Sequence, residues 1–106
     1  MGKVGYISYS DMFDVDGTKV GHYSHNDLYD VHENKVGYVL YGDIYSPSRE
    51  RIGYVQFNDV YDDIGQKAGY ITLQDIYDSG GIDLSTEKGL ALALGLAKVY
   101  LYGETD

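Results

Sequence analysis

Arg51-Ile52-Gly53-Tyr54-Val55-Gln56-Phe57-Asn58-Asp59-Val60-Tyr61-Asp62-Asp63-Ile64-Gly65-Gln66 is one copy of a sixteen-residue unit that occurs five times in this chain. The other copies begin at Lys3, Lys19, Lys35 and Lys67, with no insertion or deletion between them, so the units fill residues 3–82 of 106. Self-similarity at a fixed period is the signature of a repeat architecture.

Aligned on one another, the copies define sixteen positions. Position 1 is basic: Lys3, Lys19, Lys35, Arg51, Lys67. Position 3 is Gly in every copy, and position 9 is Asp in every copy. Positions 4 and 11 are aromatic, with Tyr6, His22, Tyr38, Tyr54 and Tyr70 at the first and Phe13, Tyr29, Tyr45, Tyr61 and Tyr77 at the second. Position 7 is mostly aromatic, and positions 5 and 10 are mostly aliphatic.

Positions 1 to 6 are rich in β-branched and aromatic residues and predict a strand. Positions 9 to 12 predict a second, shorter strand. Positions 7 and 8 predict a tight connection, and positions 13 to 16 a polar turn. A helix is excluded across the units, because Gly recurs inside each copy and no 3.6-residue stripe survives.

Two all-β architectures fit: an antiparallel meander of about ten short strands, or a β-solenoid with one coil per unit. In a solenoid, equivalent positions stack about 4.8 Å apart and the five position-9 Asp form a ladder of like charge. In a meander they lie two strand spacings apart, roughly 9–10 Å, close to a Debye length, and their repulsion is largely screened. The meander also places each position-1 cation near an Asp of position 9 or 12 on the adjacent strand. The meander is therefore the favoured reading. The recurrent Gly marks a bulge, or room for a neighbouring Tyr ring to lie over a bare backbone.

The pattern stops at Ile82. Residues 83–106 read D-L-S-T-E-K-G-L-A-L-A-L-G-L-A-K-V-Y-L-Y-G-E-T-D and predict one helix from about Thr86 to Tyr102, capped by Ser85 or Asp83 and closed by Gly103. That helix is apolar nearly all round from Leu90 to Leu101, and such a helix is buried. Either the sheet wraps round it, or a second copy covers the surplus face. In the latter case Leu90, Leu92, Leu94, Leu96, Val99 and Leu101 are the candidate self-association residues, and open sheet edges are a further route.

Composition narrows function without naming it. The net charge of −9 disfavours nucleic acid and anionic membrane surfaces, both of which need clustered cations. There are no cysteines, so disulfides and thiolate metal sites are excluded. The N-terminal M-G-K-V-G-Y lacks an apolar signal core, and Leu90 to Ala97 is too short to cross a bilayer, so a cytoplasmic location is expected.

No catalytic set emerges. Paired Asp of positions 9 and 12 recur in copy after copy, whereas a catalytic site is singular. His22, His25 and His32 all fall in the second copy, but the first two replace aromatic residues and read as substitutions. Asp14-Val15-Asp16-Gly17 resembles the start of a calcium loop, yet lacks the further carboxylates that such a loop needs. No metal site and no cofactor are expected. The feature with binding potential is the tyrosine ladder: Tyr6, Tyr38, Tyr54 and Tyr70 with Tyr29, Tyr45, Tyr61 and Tyr77 can line one sheet face and stack on a sugar or a peptide.

The G-Y-I/V…D-I/V-Y-D phrasing followed by an Ala/Leu/Gly tail resembles short tandem β-repeats of bacterial proteins, and is loosely similar to the Gly- and Tyr-rich hairpins of MORN repeats. The resemblance implies a non-catalytic role. The expected function is thus a structural or protein-interaction module that forms a homo-oligomer, with a carbohydrate- or peptide-binding module as the alternative.

Overall fold

The computed structural model describes residues 2–103. Each unit forms a hairpin. The ten strands are β1 (Lys3–Ser8), β2 (Asp11–Asp14), β3 (Lys19–Ser24), β4 (Asp27–Asp30), β5 (Lys35–Leu40), β6 (Asp43–Tyr45), β7 (Arg51–Gln56), β8 (Asp59–Asp62), β9 (Lys67–Thr72) and β10 (Asp75–Asp78). One helix, α1 (Glu87–Tyr102), follows. The meander reading holds: every strand pairs antiparallel with its sequence neighbours.

The sheet then goes further and closes. β10 pairs with β1 through Lys3 with Tyr77, Gly5 with Ile76 and Tyr6 with Asp75. The same three positions pair wherever one unit meets the next, as in Lys67 with Tyr61, Gly69 with Val60 and Tyr70 with Asp59. The fifth unit therefore joins the first by the contacts that join any two. The result is a ten-stranded barrel with no open edge among the described strands.

Alternation sets the two faces of the wall. Met12, Leu28, Ile44, Val60 and Ile76 of position 10 are wholly buried inside, with Ile7, Val39 and Ile71 of position 5 beside them. The helix fills the interior. Every residue from Gly89 to Lys98 is buried, and α1 packs against the strands from β3 to β9. Ile82 and Leu84 occupy the remaining side, lying against Gly69 and Gly5.

The dimensions explain the sequence. Ten strands at ordinary spacing and tilt close into a cylinder about 20 Å across, which leaves about 8 Å between strand and helix backbones. That is tighter than the ~10 Å that separates the backbones of two sheets packed face to face. The wall answers with Gly at position 3, and the helix with Ala91, Ala93, Ala97 and Gly95. A Cβ on Gly95 would lie 2.6 Å from Ile44 Cδ1.

Of the two ways to cover the apolar helix, the wrap-around sheet is the one realised. Leu90, Leu92, Leu94 and Leu96 are buried in the chain's own barrel, and Val99 and Leu101 lie partly buried against its core. The helix is capped by Thr86 rather than by Ser85 or Asp83. The Thr86 hydroxyl accepts from Gly89 N–H at 3.0 Å, while the Asp83 carboxylate accepts from Ser85 one turn earlier. At the other end Gly103 N–H donates to Val99 O, and Lys98, buried along its stem, donates from Nζ to Gly103 O at 2.8 Å.

Candidate functional site: the rim of hairpin tips

The outer wall carries an electrostatic and aromatic girdle. Position-1 cations meet position-9 carboxylates of the neighbouring strand in all five places: Lys3 with Asp75, Lys19 with Asp11, Lys35 with Asp27, Arg51 with Asp43 and Lys67 with Asp59, at 3.0 to 3.6 Å. These pairs are half exposed and each contributes little, on the order of 0–1 kcal/mol. Their main effect is to neutralise the wall.

The tyrosine ladder lies on this outer wall. Its members stack in pairs across each hairpin: Tyr38 on Tyr45, Tyr54 on Tyr61 and Tyr70 on Tyr77, with centroids 4.9 to 5.1 Å apart and planes within 12°. Tyr6 stacks on Phe13 and His22 on Tyr29 in the same way. The position-1 cation lies 4.8 to 5.5 Å from the ring of Tyr6, Tyr38, Tyr54 and Tyr70. The binding candidates are thus brought together, but as cross-strand pairs that engage one another's faces.

The second unit departs from this pattern at His22. Its Nδ1 is buried without a hydrogen-bond partner, and its Nε2 lies 3.4 Å from Glu33 Oε1. His22→Tyr should keep the stack on Tyr29, supply the ring that faces the position-1 cation in the other four units, and remove the orphaned nitrogen. We expect it to stabilise the protein by about 0.5–1 kcal/mol, read as a higher urea midpoint. A lower midpoint would show that the Glu33 contact outweighs both gains. The three His do not assemble: His25 sits at one end of the barrel and His32 at the other. Among the described residues no group of three or more His, Cys, Asp or Glu could hold a metal ion.

The two ends differ sharply. At the far rim the four-residue turns are closed by position 12. The Asp62 carboxylate accepts from Ile64 N–H at 3.1 Å and Gln66 N–H at 2.8 Å, and Asp14, Asp30 and Asp78 repeat the arrangement. The backbone N–H of Asn34 foremost holds the Asp30 carboxyl below its ordinary range. Asp14, the first residue of the calcium-like stretch, therefore serves its own turn. An open groove of about 320 Å³ lies here, where Leu84, Thr86 and Leu90 meet Val20 and Val36.

At the near rim stand the five two-residue tips, all on one side because each joins an odd strand to the next even one. Their first residues are Tyr9, His25, Tyr41, Phe57 and Leu73, with φ between 52° and 59°. The second residue has negative φ except Gly42, so four tips follow the sign pattern of type II′ turns and one that of type I′. Glycine is the usual residue at such a position. A side chain held there costs on the order of 1–3 kcal/mol.

None of these side chains repays the cost by burial. Tyr9, Tyr41, Phe57 and Leu73 are 84%, 83%, 87% and 77% exposed. Tyr100 and Tyr102, at the end of α1, are partly exposed on the same rim. Tyr102 leans on Tyr23, with ring centroids 5.8 Å apart, and the Tyr23 hydroxyl donates to Tyr9 O at 3.2 Å, tying the helix end to the first tip. Burial first, and the neighbouring Tyr102 phenol second, push the Tyr23 hydroxyl well above the usual tyrosine range, so it stays a donor.

Position 7 was legible as mostly aromatic, but its exposure and backbone sign were not. The one clue was the lack of Gly in four of the five two-residue hairpin connections. No helix among the described residues is long and apolar enough to cross a membrane. No family model, no curated protein and no solved structure matches this chain.

Proposed function

We propose that this chain is a non-catalytic protein-interaction module, in which the filled barrel is a rigid stand and the ring of hairpin tips is the contact surface. One observation carries the reading: exposed apolar side chains occupy strained positions at the tips, where glycine would favour folding. A feature that costs the fold stability and exposes apolar surface points to a contact. The absence of catalysis is supported by the use of the repeated carboxylates, which are engaged in wall ion pairs or in their own turns.

A carbohydrate ligand is the second reading. It is favoured by the exposed rings of Tyr9, Tyr41 and Phe57, with the neutral polar residue Ser10 beside the first of them. In that case sugars stack on the tips, not on the tyrosine ladder, whose rings face one another.

The test places p-benzoyl-phenylalanine at position 57, and separately at position 64 on the opposite rim, in cells that naturally make the protein. Irradiation should give discrete protein adducts from position 57 and none from position 64. Adducts only from position 64, or none from either, would sink the reading. Binding of a glycan array that is lost in Phe57→Asn, without protein adducts, would favour the sugar.

A further inference from the structure

The partner of the tip ring follows from where the charge lies. The five tips, Tyr9-Ser10, His25-Asn26, Tyr41-Gly42, Phe57-Asn58 and Leu73-Gln74, contain no Asp, Glu, Lys or Arg. The wall is neutral, because five cations face five carboxylates there. The excess acid of the described residues therefore sits at the opposite rim, in the four-residue turns, in the segment that leads into the helix and in its first turn. Among the described residues the molecule is polarised: the tip ring carries no Asp, Glu, Lys or Arg, the one cation near it, Lys98, is buried against Gly103 O, and the opposite rim is strongly acidic.

Rim-to-rim contact between two copies is disfavoured at the acidic end and free of like charges across the tips. We infer that the tip ring binds a second copy of this chain, tip ring to tip ring, about a two-fold axis. This rests on the reading of the ring as a contact surface and names its partner. In that arrangement the two acidic rims point away from each other. They are separated by the length of both barrels, each 23 Å or more in every direction, well beyond the ~8 Å Debye length of physiological salt.

The area suits such a pair. The rings of Tyr9, Tyr41 and Phe57 with the side chain of Leu73 offer on the order of 700 Å². Tyr100 and Tyr102 add to this on the same rim. A standard interface takes roughly 800 Å² from each partner. A two-fold contact is also isologous and closes at two copies, whereas tips docked on an acidic rim would propagate into a filament. Being neutral and apolar, the contact does not depend on ion pairing.

The association differs in place from one through the apolar helix. Leu90, Leu92, Leu94 and Leu96 stay inside the barrel, and no sheet edge opens. His25 is the one titratable side chain besides tyrosine among the tips.

The experiment is sedimentation velocity on the full chain from about 1 to 200 µM, a range that brackets a micromolar dissociation constant. A monomer–dimer equilibrium is expected, and raising the salt from about 0.15 to 1 M should leave it unchanged or tighten it. The double variant Tyr41→Asn with Phe57→Asn should weaken dimerisation at least about tenfold. Its circular dichroism should be unchanged and its thermal midpoint no lower, since Asn tolerates positive φ better than an aromatic residue. Val31→Asn with Ile64→Asn, on the acidic rim, should leave the dimer intact.

A monomer at the top concentration overturns the inference, as does a dimer indifferent to the tip variants or a series that grows past two copies. Co-sedimentation of the monomer with phosphatidylcholine vesicles, lost in the tip variant, would assign the ring to a lipid surface instead. The two proposals fail separately. A monomer whose position 57 still forms adducts to another protein keeps the contact surface and loses the second copy. A chain without adducts at position 57 loses both.

Discussion

A chain ending at Ile82 is expected to show no cooperative unfolding transition at all. The ten strands would still be present in the sequence, but their inner face would enclose a hollow. Four leucines, Leu90, Leu92, Leu94 and Leu96, are 0% to 4% exposed in the intact protein. At about 1.5–3 kcal/mol for each fully buried leucine, they supply roughly 6–12 kcal/mol. The whole stability of a domain is about 5–15 kcal/mol, so the loss equals the total. The wall residues Met12, Leu28, Ile44 and Ile76 would lose their partners as well. Urea titration followed by tyrosine circular dichroism would measure this. A sigmoidal transition in the shortened chain would show that the wall stands without its filling.

Gly53→Ala should cost about 3 kcal/mol or more, although the same change usually stabilises by about 0.4–1 kcal/mol where the backbone allows it. The difference is steric. A Cβ at Gly53 meets the Tyr61 carbonyl oxygen across the strand pair and comes within 2.6 Å of Leu92 Cδ2. The carbonyl belongs to the sheet and cannot yield, and Leu92 is held in the filled interior. Gly2→Ala is the control, since nothing lies within 4 Å of a Cβ there. Urea midpoints at equal slope compare the two. A Gly53 variant as stable as the control would mean that the wall can move outward to admit a methyl group.

Much of this molecule could be read from the register of the units alone. The strands at positions 1 to 6 and 9 to 12 follow from residue type, and they occur where expected. The pairing of Lys19 with Asp11, and of its four counterparts, follows from the two-strand geometry of a meander. Closure does not follow, because it depends on tilt and on what fills the centre, and neither is a local property. The sequence shows that the helix needs cover on every side, but the same apolar residues would suit a partner subunit. Only the curvature of the sheet decides between them. The tips were the least legible element. Phe57 and Tyr41 look like ordinary strand aromatics until the backbone sign at the turn is known, and a positive φ leaves no mark in residue type when glycine is absent.

The seam between β10 and β1 uses the register of the seams within the chain, and this bears on how the protein comes apart. A linear array of repeats can fray from its ends, one unit at a time. Here each unit has a neighbour on both sides, and the first and last are no exception. Removing any one unit breaks two seams and, in the same step, uncovers the helix or, for the first unit, the Leu84 that fills the barrel beside it. The molecule is thus built to unfold all at once, and its first and fifth units should exchange their amide hydrogens as slowly as the third.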